Sequence, residues 1–344
     1  PSGFYVLTNS YDASADGTYR SSPISAPFSG YFEALGNTIS GMKIKADAGG
    51  AVGLFAHLTG IQGFGVVRNL RLTNASVKSS HASNMGGIAG FVEQGSIISQ
   101  SSVTGEVKAG ESSDAGGVAG FINFGTVTSS RSSVNVAVGG EFAQAGGLVG
   151  AFGDGTLKNS YATGAVAGGD ESETGGLVGY NGAPVADSFA TGAVRTGAHG
   201  EAGGLVGHNG GRVKNSYAEG DVSATGVGSS LGGLMGRDEA GAVASYSTGK
   251  ITGVSDVVGG VVGTDCSGGG EECRPGGYRN TDWNTTTSEL SQGAGNINDD
   301  KGLQSLTSHK LRSGLPQGFS EKVWTEQGIT NRGFPYLINN PPPQ

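Results

Sequence analysis

Charge is scarce in this sequence: only 15% of its 344 residues are charged and 7% are aromatic. The 21 basic residues are scattered along the chain and outnumbered by 29 acidic ones, for a net charge of −8. A phosphate-binding surface needs clustered Lys and Arg, so nucleic acid is excluded as a partner. No apolar run approaches the roughly 18 residues that cross a bilayer, so membrane insertion is not expected. No H-E-x-x-H helix, G-x-S-x-G elbow, phosphate loop or dinucleotide fingerprint occurs. The chain opens at Pro1, as a mature or trimmed fragment would. Cysteine is limited to Cys266 and Cys273, in one Gly-rich loop. Their spacing suggests a small disulfide loop and an oxidising compartment. Half of a metal site is the competing reading, but C-x-x-C spacing and nearby His partners are lacking.

Glycine, by contrast, is plentiful at 67 residues, without the three-residue period of collagen. The pattern Gly-Gly-apolar-apolar-Gly begins at Gly86, Gly116, Gly146, Gly175, Gly203, Gly232 and Gly259, at spacings of 27 to 30 residues. A second phrase recurs within each period, as in Asn159-Ser160-Tyr161-Ala162 and Asn215-Ser216-Tyr217-Ala218. Helical repeats are excluded, because each Gly inside a helix costs about 1 kcal/mol relative to Ala. Short β-prone segments separated by Gly and polar residues fit one turn of a solenoid. The expected fold is all-β: a right-handed, three-sided parallel β-helix of about 29 residues per coil, with three strand segments to a coil. Equivalent residues then stack about 4.8 Å apart. Tyr161, Phe189, Tyr217 and Tyr246 would form an aromatic column, Ser160, Ser188, Ser216 and Ser245 a hydroxyl column, and Leu148, Leu177, Leu205 and Leu234 an aliphatic one. Glycines are expected at the corners, where φ > 0 is needed, and wherever coils approach closely.

The ends lose the repeat. Residues 1–45 read as an N-terminal cap and lead-in, 46–277 as the repeats, 278–338 as a C-terminal cap with a short helix around Leu303–Leu311, and 339–344 as the start of a Pro-rich linker.

The repeats resemble the GLUG motif family through Gly176-Leu177-Val178-Gly179 and Gly204-Leu205-Val206-Gly207. The lead-in Pro27-Phe28-Ser29-Gly30 and the ending around Trp283, Trp324 and Pro335-Tyr336-Leu337 are similar to the borders of such regions. The resemblance implies a stalk or binding region of bacterial secreted or surface proteins, among them filamentous-haemagglutinin-like adhesins and some surface-anchored IgA-cleaving proteases. Those proteases work through an H-E-x-x-H zinc site, which this chain lacks, so that activity is not carried over. The family offers no catalytic residue to transfer.

In a solenoid, sites form between coils. Two positions before each Gly-Gly runs the polar series Asn84, Asp114, Gln144, Glu173, Glu201 and Ser230. Glu173 and Glu201 would lie close together, as solvated turn residues, as a carboxylate pair, or as ligands sharing a Ca²⁺ with Asp170 and Glu171. After each motif, Tyr180, His208 and Arg237 precede Asn181, Asn209 and Asp238, with Asp265 one coil further on. Tyr180, His208, Arg237, Asp238 and Asp265 are the candidate ligand site, since an aromatic face with polar groups suits a saccharide. An internal Asn ladder is the structural alternative.

No catalytic residue, cofactor or dedicated metal site is expected beyond that calcium. The expected function is that of a non-enzymatic adhesin segment, secreted or on the bacterial surface, engaging an extracellular glycan or surface receptor. It would act as a monomer or assemble end to end. A polysaccharide lyase or glycosidase and an inert stalk are the alternatives.

Overall fold

The computed structural model describes residues 1–60, 65–81, 83–254, 257–268, 277–298 and 300–343. The chain winds into a parallel β-solenoid. Gly50–Val52, Ser83–Gly86, Asp114–Gly116, Gln144–Gly146, Glu173–Gly175, Glu201–Gly203, Ser230–Gly232 and Val257–Gly259 form one eight-stranded sheet, one strand per coil. The remaining strands of each coil pair in parallel with their counterparts one coil away, in the register that the repeat dictates: Leu157 with Val185, Tyr161 with Phe189, Val166 with Val194. A later coil holds five short pieces rather than three, for example Glu173–Gly175, Val178–Asn181, Val185–Ala186, Phe189–Ala190 and Val194–Thr196.

The extra bends come from residues that are not glycine. Asn159, Asp187 and Asn215 occupy one left-handed corner, with φ of 50°, 50° and 49°. Asn and Asp tolerate that conformation because a short polar side chain can bond locally. The paired glycines serve close approach instead: a Cβ on Gly176 would lie 2.1 Å from the Gly204 carbonyl oxygen, and one on Gly175 1.9 Å from that of Val178. Leu148, Leu177, Leu205 and Leu234 are all fully buried.

The hydroxyl column supplies the corner's missing hydrogen bonds. Ser188 Oγ accepts from the Ser160 amide at 3.2 Å and donates to the Ala186 carbonyl at 2.7 Å, and Ser216 repeats both bonds one coil on. Buried backbone groups that no strand partner reaches are satisfied this way.

Both ends depart from simple caps. Residues 1–45 are themselves coiled: Phe4–Val6 pairs with Tyr31–Glu33, and Thr18–Tyr19 with Lys43–Ala46. Phe28 packs on Phe55 at 4.9 Å and closes the core beneath them. At the other end, Arg279–Asn284 adds to Ala242–Ser247 and receives Leu303–Leu306 as a strand. The expected helix is therefore one turn, Ser308–Leu311, begun where Thr307 accepts the Lys310 amide. The chain then runs back along the flank. Phe319, Trp324 and Leu337 cover Phe189, Tyr217 and Tyr246 in a cluster separate from the solenoid core, and Asn340 reaches the Ser160 and Asp187 carbonyls. Under this strap the rings of Tyr161, Phe189, Tyr217 and Tyr246 stack face to face at 4.7, 4.7 and 5.1 Å.

Candidate functional site

Alternation along a strand decides which candidates can meet a ligand. In Val178–Asn181, Val206–Asn209 and Met235–Asp238, the third residue faces out and the fourth faces in. Tyr180, His208 and Arg237 are half-buried on the surface, whereas Asn181, Asn209, Asp238 and Asp265 are fully buried. The expected five-residue constellation is thus split between two sides of one sheet. The inward members form the Asn ladder: Asn181 Nδ2 donates to Asn209 Oδ1 at 2.6 Å, and Asn209 Nδ2 to Asp238 Oδ1 at 2.7 Å. Asp238 also accepts from the amides of Ala240 and Gly241. Burial pushes the Asp238 carboxyl up, and that of Asp265 up to about 6. Neither side chain reaches solvent, so neither is placed to bind a ligand.

The outward members find different company. Glu173 and Glu201 pair with each other in register, both on the adjoining eight-stranded sheet. Gly175-Gly176 and Gly203-Gly204 fold that sheet tightly against the next one. His208 therefore lies across both carboxylates, its Nδ1 3.3 Å from Glu173 Oε1 and 3.0 Å from Glu201 Oε2. Gln144 Nε2 donates to the other Glu173 oxygen at 2.9 Å. Tyr180 packs on the His208 ring at 5.5 Å. On the far side Glu239 Oε1 lies 3.6 Å from His208 Nε2 and accepts two bonds from Arg237 at 3.2 Å. The acidic column and the outward members of the second candidate group, Tyr180, His208 and Arg237, meet in one cluster. Glu239 was not anticipated, although it stands two residues beyond Arg237.

Burial alone would lower the His208 pKa, but its bonds to Glu173 and Glu201 outweigh that and hold it at about 10. At neutral pH the ring is an imidazolium clamped between two carboxylates. Two coils before Glu173, burial and the charge of Glu173 push Asp114 up to about 6.

Among the described residues, Glu173, Glu201 and His208 are the set whose donor atoms, all within 4.8 Å of one another, could hold a metal ion. The expected calcium partners do not join them: Asp170 Oδ1 accepts the Ala198 amide, and Glu171 sits in a left-handed corner at φ 51°. The imidazolium itself fills the place of a cation. Of the expected disulfide, Cys266 is buried and Cys273 lies outside the described residues.

No curated protein matches the chain. A crystal structure from Bacteroides ovatus, named as a "putative immunoglobulin A1 protease", aligns with 98% of this chain and 86% of its own at 18% identity, with a TM-score of 0.39. That likeness is too loose to bear on activity. The GLUG motif family matches residues 143–167 and 198–223, which carry two of the Gly-Gly corners around Gly146 and Gly203. The chain is a parallel β-solenoid that carries the GLUG motif at two places.

Proposed function

We propose that this solenoid is a non-enzymatic binding segment of a secreted or surface-displayed protein, and that it holds a carbohydrate over Tyr180 and His208. GLUG repeats and the parallel solenoid support the setting. Among the described residues no helix is long and apolar enough to cross a membrane. The observation that carries the binding reading is the convergence, on one half-buried patch, of the Tyr180 ring with Gln144, Glu173, Glu201, His208, Arg237 and Glu239. An aromatic face beside fixed donors and acceptors suits a sugar, whose C–H face stacks while its hydroxyls hydrogen-bond. Catalysis by Glu173 and Glu201 is disfavoured by the same geometry, because the His208 ring fills the gap that a reacting sugar would enter.

The test is a glycan array probed with the whole chain and with Tyr180→Ala. Saturable binding to a neutral or mixed glycan, lost in the variant while its circular dichroism is unchanged, is expected. Absence of glycan binding, or binding indifferent to Tyr180, would overturn the assignment.

A further inference from the structure

Four of the 21 basic residues, drawn from three coils, gather in space. Lys78 pairs in register with Lys45 on the preceding coil and with Lys108 on the following one. Strand spacing places their Cα atoms about 4.8 Å apart, all on the outward face. Lys43 is exposed two residues before Lys45, where the buried Ile44 separates them and alternation returns the side chain to the same face. Four lysines thus share a small area of a chain whose net charge is −8.

Like charges stacked this closely repel, and the fold offsets only part of the cost. Glu106 bridges Lys78 at 2.5 Å and Lys108 at 2.9 Å, whereas Lys45 has no ion pair among the described residues. The ladder borders a shallow cleft of about 540 Å³, floored by Ser79, Ser80 and the bare backbone of Gly139 and Gly140, with the carboxylate of Glu111 at its edge against the three lysines. Phe142, two residues further on, is 60% exposed in a left-handed conformation with φ 56°. Ser112, Glu171 and His199 hold that corner in other coils with φ of 49°, 51° and 54°. A bulky aromatic in this region carries a conformational cost, and such costs concentrate at functional positions.

We propose that this ladder binds an acidic polysaccharide, a chain of uronate or sulfated sugars lying along the solenoid axis, with its anionic groups on Lys45, Lys78 and Lys108 and a sugar ring against Phe142. The coil repeat is comparable to the advance of one sugar along an extended chain, so consecutive anions can meet consecutive lysines. Small inorganic anions would use one or two lysines and ignore Phe142. The site lies on a different column of strands from Tyr180 and His208 and takes a ligand of different charge, so either assignment can fail without the other.

The experiment measures binding of the whole chain to polygalacturonate, heparin, a neutral glucan and inorganic polyphosphate at low and physiological salt. Both acidic polysaccharides should bind, more weakly as salt rises, and the neutral glucan should not. The Lys45→Gln/Lys78→Gln/Lys108→Gln variant should lose roughly ten- to hundredfold in affinity, in line with three lysines facing an anionic surface. Lys45→Gln alone, which breaks no ion pair, should lose part of that and guards against misfolding of the triple variant. Phe142→Ala should weaken polysaccharide binding and leave polyphosphate binding unchanged. Failure to bind either acidic polysaccharide at low salt overturns the proposal, as does binding insensitive to Lys45→Gln. Equal binding of polyphosphate with no effect of Phe142→Ala overturns the sugar assignment and leaves a plain anion patch.

Discussion

The phenol of Tyr246 donates a 2.6 Å hydrogen bond to the carbonyl of Pro335, 89 residues later, and Asn331 Nδ2 donates to the same phenol at 3.1 Å. This knot ties the strap to the last ring of the aromatic stack. Trp324 packs over the same place, 5.9 Å from Tyr217 and 5.8 Å from Tyr246. Because the strap residues cover these rings in a cluster separate from the solenoid core, strap and solenoid are expected to separate without the coils unwinding.

Leu337→Ala tests that independence. Leu337 is 1% exposed within the strap cluster, and truncation should cost about 2–5 kcal/mol of strap docking. Limited proteolysis should then cut within residues 307–343 while the coils stay intact, and Trp324 emission should shift to the red. Simultaneous loss of coil and strap would show one cooperative unit and contradict the separation.

The His208 clamp makes a pH prediction with a definite sign. Its folded pKa of about 10 lies above the ordinary 6.5, so the protonated ring stabilises the fold. That contribution is complete below pH about 6.5 and declines as pH rises through about 10. The Tm difference between the parent and His208→Gln should therefore be largest at mildly acidic pH and shrink toward pH 10. By NMR, the ring should stay protonated through pH 8; a titration near 6.5 would show that the carboxylates do not hold it.

The period, the solenoid and the members of each column could be read from the sequence, because Gly-Gly and Ser-aromatic phrases repeat with little drift. What repeats could not reveal was direction. Arg237 and Asp238 are neighbours that face opposite sides, and a one-residue ambiguity merged them into one expected site. The corners were hidden because Asn159, Asp187 and Asn215 do there what glycine was expected to do. The lysine ladder was invisible for a related reason: 45, 78 and 108 stand far apart in the chain and belong to no repeated phrase. The strap depends on contacts such as Asn340 to Ser160, 180 residues apart, for which a linear pattern carries no signal.

Asp282 is where the aromatic column ends, since it follows Tyr246 in register. It is 1% exposed, and neither carboxylate oxygen has a hydrogen-bond partner among the described residues. Burial pushes its pKa up to about 7 from 3.8. A folded value above the unfolded one means that the neutral acid is tolerated and the anion is not. Its stabilising contribution is intact below pH about 4 and lost as pH climbs through 7, a cost of about 4 kcal/mol for a shift of that size. Asp282→Asn removes the charge and keeps the shape. The variant and the parent should unfold alike at pH 4, and the variant should become progressively more stable than the parent between pH 5 and 8. Guanidinium titrations at each pH measure the difference, in which the other buried acids cancel. A gap that does not widen with pH would mean that Asp282 ionises freely, with a partner or water that relieves its burial.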